Sequence, residues 1–503
     1  MFPPAARARW RGRPEGRADR RAVRTAGCLV VVLTAGAYLP SPLYPEYQRL
    51  VGYDDLVMTL LFATFALVSG PALLLCGPAA DIVGHRPVLR LSVLLAASGS
   101  VCFVLADSPA WLFAGRVGQA LALGAATGAA QALITWHRSP AARVGGPLLA
   151  SLAFAAGTAV GPAASGLLAR YVPGPLVTPY LLHLALLAWV WHRLHRTVPE
   201  PNATRGAQRG WRPARPHIPR AVRTLFIVAG LNGFLAWAVV GIYLALVPAL
   251  LGRALHSDHP ALTGGVLGAV LAWSLPAQLI GSRRTAQTAQ QLGVVALTAS
   301  LLLLAGTGAA SLPATLGSAL LAGAGHGLAF SGAARAVDAR TPAGDRAGVG
   351  AALYLLFYLG SGTPAVTVGL LTTWMPLTVS VTRLSWAGAA LGVLALLATS
   401  CLTVSARRGR SGSSRPGPGT PVPAQRRRTV SSENVGAAGC LTPDTPSSRG
   451  WQDGAVPGST MPSSMPTPSR PRPAGTTRSS LRKRSPIRAG ETRASCNSSR
   501  PAS

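Results

Sequence analysis

Between residues 25 and 403 the chain alternates long apolar runs with short polar interruptions. The runs fall near 25–41, 55–77, 88–106, 110–134, 145–168 and 175–194, then near 222–250, 262–281, 289–308, 312–334, 347–370 and 384–403. Each approaches the roughly 20 residues that a helix needs to cross a hydrocarbon core about 30 Å thick. The pattern predicts an all-α membrane protein with twelve transmembrane helices in two groups of six. Gly and Pro recur within several runs, which membrane helices tolerate and soluble helices mostly do not. No stretch of period-two alternation asks for a β-domain. The expected organisation is a basic arm over 1–24, a six-helix bundle over 25–194, a central loop over 195–221, a second bundle over 222–403 and a tail over 404–503.

The polar interruptions set the orientation. One set of loops holds Arg86 and Arg90, Arg138 and Arg143, the Arg-rich central interval, Arg283 and Arg284, then Arg335, Arg340 and Arg346. The opposite set holds Glu46, Asp54, Asp55, Asp107 and Asp258 with few basic residues. Cytoplasmic loops carry the Lys and Arg excess, so both termini are expected in the cytoplasm of a multi-pass cell-membrane protein. The first run has a basic flank, as a signal peptide does. That flank is long for one and eleven further runs follow, so a retained helix is expected.

Composition and charge sharpen this picture. Only 12% of residues are charged, about half the share of a soluble domain. The net charge of +32 would suggest a nucleic-acid partner on a soluble protein. Here +6 lies in residues 1–24, +7 in 192–223 and +13 beyond 404, outside the apolar runs, so no nucleic-acid partner is expected. The tail is rich in Ser, Pro, Arg, Gly and Thr without helical or strand period, and is expected to be disordered. Its clusters Arg426 to Arg428 and Arg482 to Arg484 would suit anionic lipid if the tail has a role at all. The six Cys have neither metal-ligand nor redox spacing. Without a phosphate-cradling Gly-rich loop or a nucleophile-and-base constellation, neither an enzyme nor ATP-driven transport is expected, and no cofactor or metal.

Four groups of residues carry candidate chemistry. Gly77, Asp81, Gly84 and Arg86 lie in a charged hinge between the second and third runs, where glycines permit a tight turn and Asp81 offers a carboxylate at the interface. In the fourth run, Arg116 and Gln119 precede Gly124; a buried Arg there is costly unless it is paired or reaches water. In the fifth, Gly157, Gly161, Pro162 and Gly166 combine a bare stripe with a bend. The fourth group is the polar residues within spans: Tyr38, His183, Asn232, Tyr243, His326, Tyr354 and Tyr358. Phe234, Trp237 and Trp273 add aromatic surface for a weakly discriminating cavity. His326, between two glycines, reads equally as a titrating group and as a packing residue. No carboxylate sits in the middle of a span, so proton coupling would have to use Glu46, Asp54 or Asp81.

These groups resemble motifs of the major facilitator superfamily over roughly residues 25–403. The hinge resembles the family's loop between helices two and three, with Ile82 and His85 where basic residues are usual. Arg116, Gln119 and Ala120 resemble its Arg-x-x-Gln-Gly pattern in helix four. Gly161 to Gly166 resembles the Gly-Pro-x-x-Gly-Gly motif of drug:proton antiporters, with Ser165 in place of one Gly. The second half echoes the first in Gly323, Gly325 and Gly327, in Gly360, Gly362 and Pro364, and in Gly281, Arg283 and Arg284. The resemblance implies alternating access between two bundles, with the hinge docking on helix eleven as a conformational latch and Arg346 nearby as a local partner. The expected function is export of small amphipathic molecules in exchange for protons by a monomer in the lipid bilayer. The alternatives are an importer or facilitator of a small metabolite, and a receptor or scaffold acting through the basic tail.

Overall fold

The structure, a computed structural model, describes residues 16–139, 142, 144–198, 217–255, 259–308, 311–342 and 345–412. The tail beyond 412, the first 15 residues and most of the central loop lie outside the described residues. Twelve long helices occupy the described chain. The first six are α1 (Arg17–Tyr38), α2 (Asp55–Val83), α3 (His85–Val104), α4 (Pro109–His137), α5 (Gly146–Tyr171) and α6 (Thr178–Thr197). The second six are α7 (Arg223–Leu255), α8 (Pro260–Ser282), α9 (Ala286–Thr307), α10 (Leu312–Arg340), α11 (Arg346–Thr372) and α12 (Leu377–Gly412). A short helix, Tyr44–Val51, bridges α1 and α2. There is no strand among the described residues.

By length and composition, ten stretches of the described residues are apolar enough to cross a membrane. The other two long helices are α6, which carries His183, His192, Arg193, His195 and Arg196, and the glycine-rich α10. Tertiary packing rather than hydropathy places both, since α6 packs on α1 and α3, and α10 on α7, α8 and α9.

Helix ends follow local chemistry. The Asp54 side chain accepts the Val57 N–H at 2.8 Å and Thr285 accepts that of Thr288 at 3.1 Å, each satisfying an orphan donor at a helix start. Helix α1 begins at Arg17, earlier than the apolar run indicates, because Asp19 bonds back to the Gly16 N–H at 3.2 Å and starts the helix in polar sequence. Helix α12 likewise continues past 403 to Gly412.

The two bundles repeat one packing scheme. Helix α1 packs on α4, α5 and α6, α2 on α4, and α3 on α4 and α6; with six added to each number, α7 packs on α10 and α11, α8 on α10, and α9 on α10 and α12. The bundles meet along two seams, α5 against α8 and α2 against α11, which are equivalent under the same repeat. One end of the assembly, hereafter the basic face, carries Arg86, Arg90, Arg138, Arg283, Arg284, Arg340 and Arg346; the other, the acidic face, carries Glu46, Asp54 and Asp107.

The hinge differs from the sequence expectation. Gly77 does not end a helix: α2 continues through it to Val83, and the turn is the single residue Gly84, with φ 94° and ψ 160°. That region of backbone space is open essentially to Gly alone. The helix runs through Pro78, which removes one backbone hydrogen bond without ending it, and on to Val83. Replacing Gly84 by Ala should cost about 1–3 kcal/mol, read as a lower thermal midpoint of the purified protein in detergent. Gly77→Ala, with open space around it, should be neutral or slightly stabilising.

Candidate substrate cavity

At the hinge, the turn at Gly84 delivers Arg86 to the end of α6. Arg86 is buried and donates to the His195 carbonyl at 3.0 Å, while the Arg90 guanidinium meets His195 Nδ1 at 2.7 Å. Both cations thus sit at a helix C-terminus, where the dipole favours them. This ties α3 to α6 within the first bundle. The side chain of Asp81 lies outside the described residues. Arg346 bonds the Thr341 carbonyl at 3.1 Å and lies 3.8 Å from Asp338.

Arg116 lies two turns into α4 from the acidic face and is only 4% exposed. Its guanidinium donates to the carbonyls of Ala37 at 2.6 Å and Leu61 at 3.2 Å and to Gln119 Oε1 at 3.2 Å. Gln119 Nε2 in turn donates to the Gly36 carbonyl at 2.9 Å. The reason is in α1. A helix would pair the Gly36 carbonyl with the N–H of residue 40, but residue 40 is Pro and has none. The chain leaves the helix there, so the last α1 carbonyls need outside donors, and α4 supplies them. Phe65 packs under the guanidinium carbon at 4.7 Å, a cation–π contact. Tyr38 and Tyr358 flank that ring at 6.1 and 6.4 Å. Among the described residues Arg116 has no carboxylate partner. Its charge is solvated by two carbonyl dipoles and the Gln119 amide oxygen.

Between the bundles, toward the basic face, a narrow cavity of about 20 Å³ has room for roughly one water. The first bundle contributes Thr127, Gln131, Ser151 and Phe154; the second contributes Phe330 and Tyr354. Behind this wall, Trp237 stands edge-on to Phe154 at 5.8 Å, to Phe330 at 5.9 Å and to His326 at 4.7 Å. The His326 ring stacks on Phe330 at 5.5 Å. Tyr358, one turn along α11 from Tyr354, approaches Thr127, yet its hydroxyl is buried without a hydrogen-bond partner. A polar chain also crosses the α5–α8 seam. Ser151 Oγ donates to Gln278 Oε1 at 2.6 Å, Gln278 Nε2 donates to Ser274 Oγ at 3.2 Å, and Ser274 Oγ meets His326 Nδ1 at 3.1 Å.

The structure separates the two histidines. His183 is saturated: Nε2 meets the Val32 carbonyl at 3.1 Å and Nδ1 the Ser100 hydroxyl at 2.7 Å. It is a joint between α1, α3 and α6, with its ring seated against Gly36. His326 leaves Nε2 buried and unpartnered. Asn232 bonds Gln290 at 2.9 Å and Thr399 at 3.1 Å inside the second bundle. Tyr243 bonds Ser300 at 2.9 Å and Ser318 at 2.7 Å in the same interior. On the acidic face, Glu46 pairs with Arg49 and Asp54 caps α2.

Gly157 and Gly161 accept α1 against their bare faces: a Cβ on Gly157 would lie 2.5 Å from the Val31 carbonyl. Pro162 and Gly166 face α8 instead, with the Gly166 backbone against Pro260 and Gly264. Along the other seam, Thr59 meets Gly369, Ala66 meets Gly362 and Leu355 meets Gly70. The α11 partners recur every seven residues, the interval at which one helix presents the same face to a neighbour. The next step toward the basic face would pair Gly77 with Gly348, and each has nothing within 4 Å of where a Cβ would stand. The seam is closed on the acidic side and loose on the basic side.

Of the residues singled out from sequence, the structure gathers Tyr38, Arg116, Gln119 and Tyr358 into one group and places His326 beside the cavity. It keeps His183 and Asn232 inside their own bundles. Thr127, Gln131, Ser151, Phe154, Phe330 and Gln278 were missed. An amide inside an apolar run, as at Gln131 and Gln278, is the signal that would have found two of them. Among the described residues no cluster of His, Cys, Asp or Glu could hold a metal ion.

Comparison with solved structures finds this architecture elsewhere. A bacterial homologue of the human lysosomal transporter Spinster, inward-facing and unoccupied, matches with a TM-score of 0.57 at 15% identity, covering 81% of this chain and 100% of its own. Its occupied form matches with a TM-score of 0.56 at 16% identity and the same coverage. A variant of the nucleoside transporter NupG matches with a TM-score of 0.57 at 12% identity, over 76% of this chain and 99% of its own. At such identities the likeness is one of fold. No curated protein matches the sequence. The family model described as Major Facilitator Superfamily matches residues 26–365, which is most of the helical chain. With twelve helices, two repeated bundles meeting along two equivalent seams and a cavity between them, the chain belongs to the Major Facilitator Superfamily and is a multi-pass membrane transporter.

Proposed function

We propose that this transporter exports small amphipathic molecules by alternating access in exchange for protons, as a monomer in the cell membrane with its basic face in the cytoplasm. The observation that carries the reading is the aromatic cavity of Phe154, Phe330 and Tyr354 on the basic side, under seams that are closed on the acidic side. A cavity in that place loads from the cytoplasm. Aromatic walls bind by area and shape and so discriminate weakly. The positive-inside bias of the loops supports the orientation. One chain contains both bundles and the cavity between them. Proton exchange has His326 as its support, a buried imidazole with one nitrogen free.

The test is efflux from proteoliposomes with and without an imposed pH gradient, using amphipathic dyes. Export should accelerate several-fold with an inward proton gradient. Equal rates with and without it would leave a facilitator, and gradient-driven accumulation in the opposite direction would leave an importer.

A further inference from the structure

Most arginines on the basic face spend their guanidinium on the protein itself. Arg335 bonds the carbonyls of Ser331, Arg284 and Gly281, Arg138 bonds that of Val144, and Arg346 meets Thr341 and Asp338. The edge formed by α3 and α6 is different. Arg193 and Arg196, in the last turns of α6, make no guanidinium hydrogen bond and have no carboxylate within 4.0 Å among the described residues. Arg90 on α3 gives one amino group to His195 Nδ1 and likewise lacks a carboxylate partner among them. An arginine carries five N–H donors, so these three leave most of theirs unspent.

Tryptophan rings hold two of the three. The guanidinium carbon of Arg193 lies 5.4 Å from the centre of the Trp189 ring, and that of Arg90 lies 5.8 Å from Trp191. A guanidinium resting on a ring is positioned without using its donors.

The same edge is apolar farther from the basic face. On α6, Leu182, Leu186, Trp189, Arg193 and Arg196 follow at intervals of four and three residues, which is one stripe of a helix. Both leucines and Trp189 are exposed, and so are Leu91 and Leu94 beside Arg90 on the neighbouring α3. Toward the basic face, the α6 stripe passes from aliphatic through aromatic to cationic. That order matches acyl chain, interface and headgroup in one leaflet of a bilayer.

We infer that the α3–α6 edge is a binding site for anionic phospholipid. Arg90, Arg193 and Arg196 hold the phosphodiester, and the acyl chains lie along the exposed leucines. Charge complementarity names the occupant, since basic pockets between membrane helices on the cytoplasmic side suit anionic headgroups. A zwitterionic lipid would bring an ammonium group against three guanidiniums. His195, which Arg86 and Arg90 both contact, lies between Arg193 and Arg196. The lipid therefore sits on the helix end to which the hinge is tied. The inference depends neither on the direction of transport nor on use of the interbundle cavity.

The test is native mass spectrometry of the purified full-length protein in detergent, titrated with phosphatidylglycerol or with phosphatidylcholine of the same acyl chains. Phosphatidylglycerol should bind at least about tenfold more tightly. Arg193→Gln combined with Arg196→Gln should weaken it about 25-fold, at roughly fivefold for each cation removed. If that pair folds poorly, Arg196→Gln alone changes only an exposed side chain and should cost about fivefold. Arg283→Gln with Arg284→Gln removes equal charge from exposed positions on the basic face of the second bundle and should change binding little. Millimolar inorganic phosphate should not displace the lipid. Equal binding of the two lipids would overturn the inference, as would equal losses in the two paired variants. Displacement by phosphate would also overturn it, leaving a site for a free anion.

Discussion

Arg116→Met should lower the thermal midpoint by about 3–5 °C and abolish transport. The change removes a donor from the carbonyls of Ala37 and Leu61 and from Gln119 Oε1. A buried acceptor left unpaired costs about 1–3 kcal/mol, so the combined loss is about 3–5 kcal/mol. At about 1 °C per kcal/mol for a chain of this size, that gives the stated shift. The loss concentrates where α1 leaves its helix at Pro40, so the first bundle should loosen at its acidic end. Arg116→Lys separates charge from geometry. A single ammonium keeps the charge but lacks the planar fork that reaches two helices at once, and it should recover only part of the stability. Scanning fluorimetry in detergent is the measurement. A Met variant that melts with the parent would mean that the guanidinium is not what holds α1, α2 and α4 together.

Gly264→Val should reduce the initial rate of transport at least tenfold while leaving the protein folded. A Cβ at Gly264 would stand 3.0 Å from the Gly166 Cα and 3.2 Å from its nitrogen, against the backbone of the other bundle, which cannot turn aside as a side chain can. Overpacking of this kind costs about 1–3 kcal/mol. The strain falls on the seam that closes the acidic face, so it acts selectively on the state in which that seam is shut. A bias of about 1.4 kcal/mol between the two states already shifts their ratio tenfold. The neighbouring residue supplies the control: Gly265 has nothing within 4 Å, and Gly265→Val should transport normally. Both variants are measured in proteoliposomes at matched protein density. Equal rates for the two would show that the α5–α8 contact does not limit the cycle.

Much of the architecture was legible in the sequence because membranes impose a one-dimensional rule. A run of some 20 apolar residues has few other fates, and the loop arginines divide the two faces. The hinge was legible in place but not in form. Glycine at 77 and at 84 looks the same in sequence, and only the backbone shows that Gly84 alone adopts a positive φ while Gly77 lies inside a helix. Arg116 and Gln119 were legible as costly residues, but their partners are main-chain carbonyls freed by Pro40, and which helix passes beside that proline is a tertiary fact. His183 and His326 were indistinguishable as intramembrane histidines. Saturation of one and the free nitrogen of the other depend on Ser100, Val32 and Ser274, which come from other helices. The cavity wall was least legible, since Phe154 and Phe330 resemble any lipid-facing aromatic residue until the bundles are brought together.

The α2–α11 seam, tight from Thr59 to Gly70 and slack at Gly77, has a mechanical consequence. From Gly70 to the end of α2 at Val83 is about 20 Å of helix at 1.5 Å per residue. With the fulcrum near Gly70, a tilt of roughly 10° would swing the far end by about 3–4 Å over that length. The turn at Gly84 sits at the tip of this lever arm, and Arg86 just beyond it is pinned to α6. Motion of the tip would therefore be carried to α6 through Arg86, which would make the hinge a handle on the first bundle.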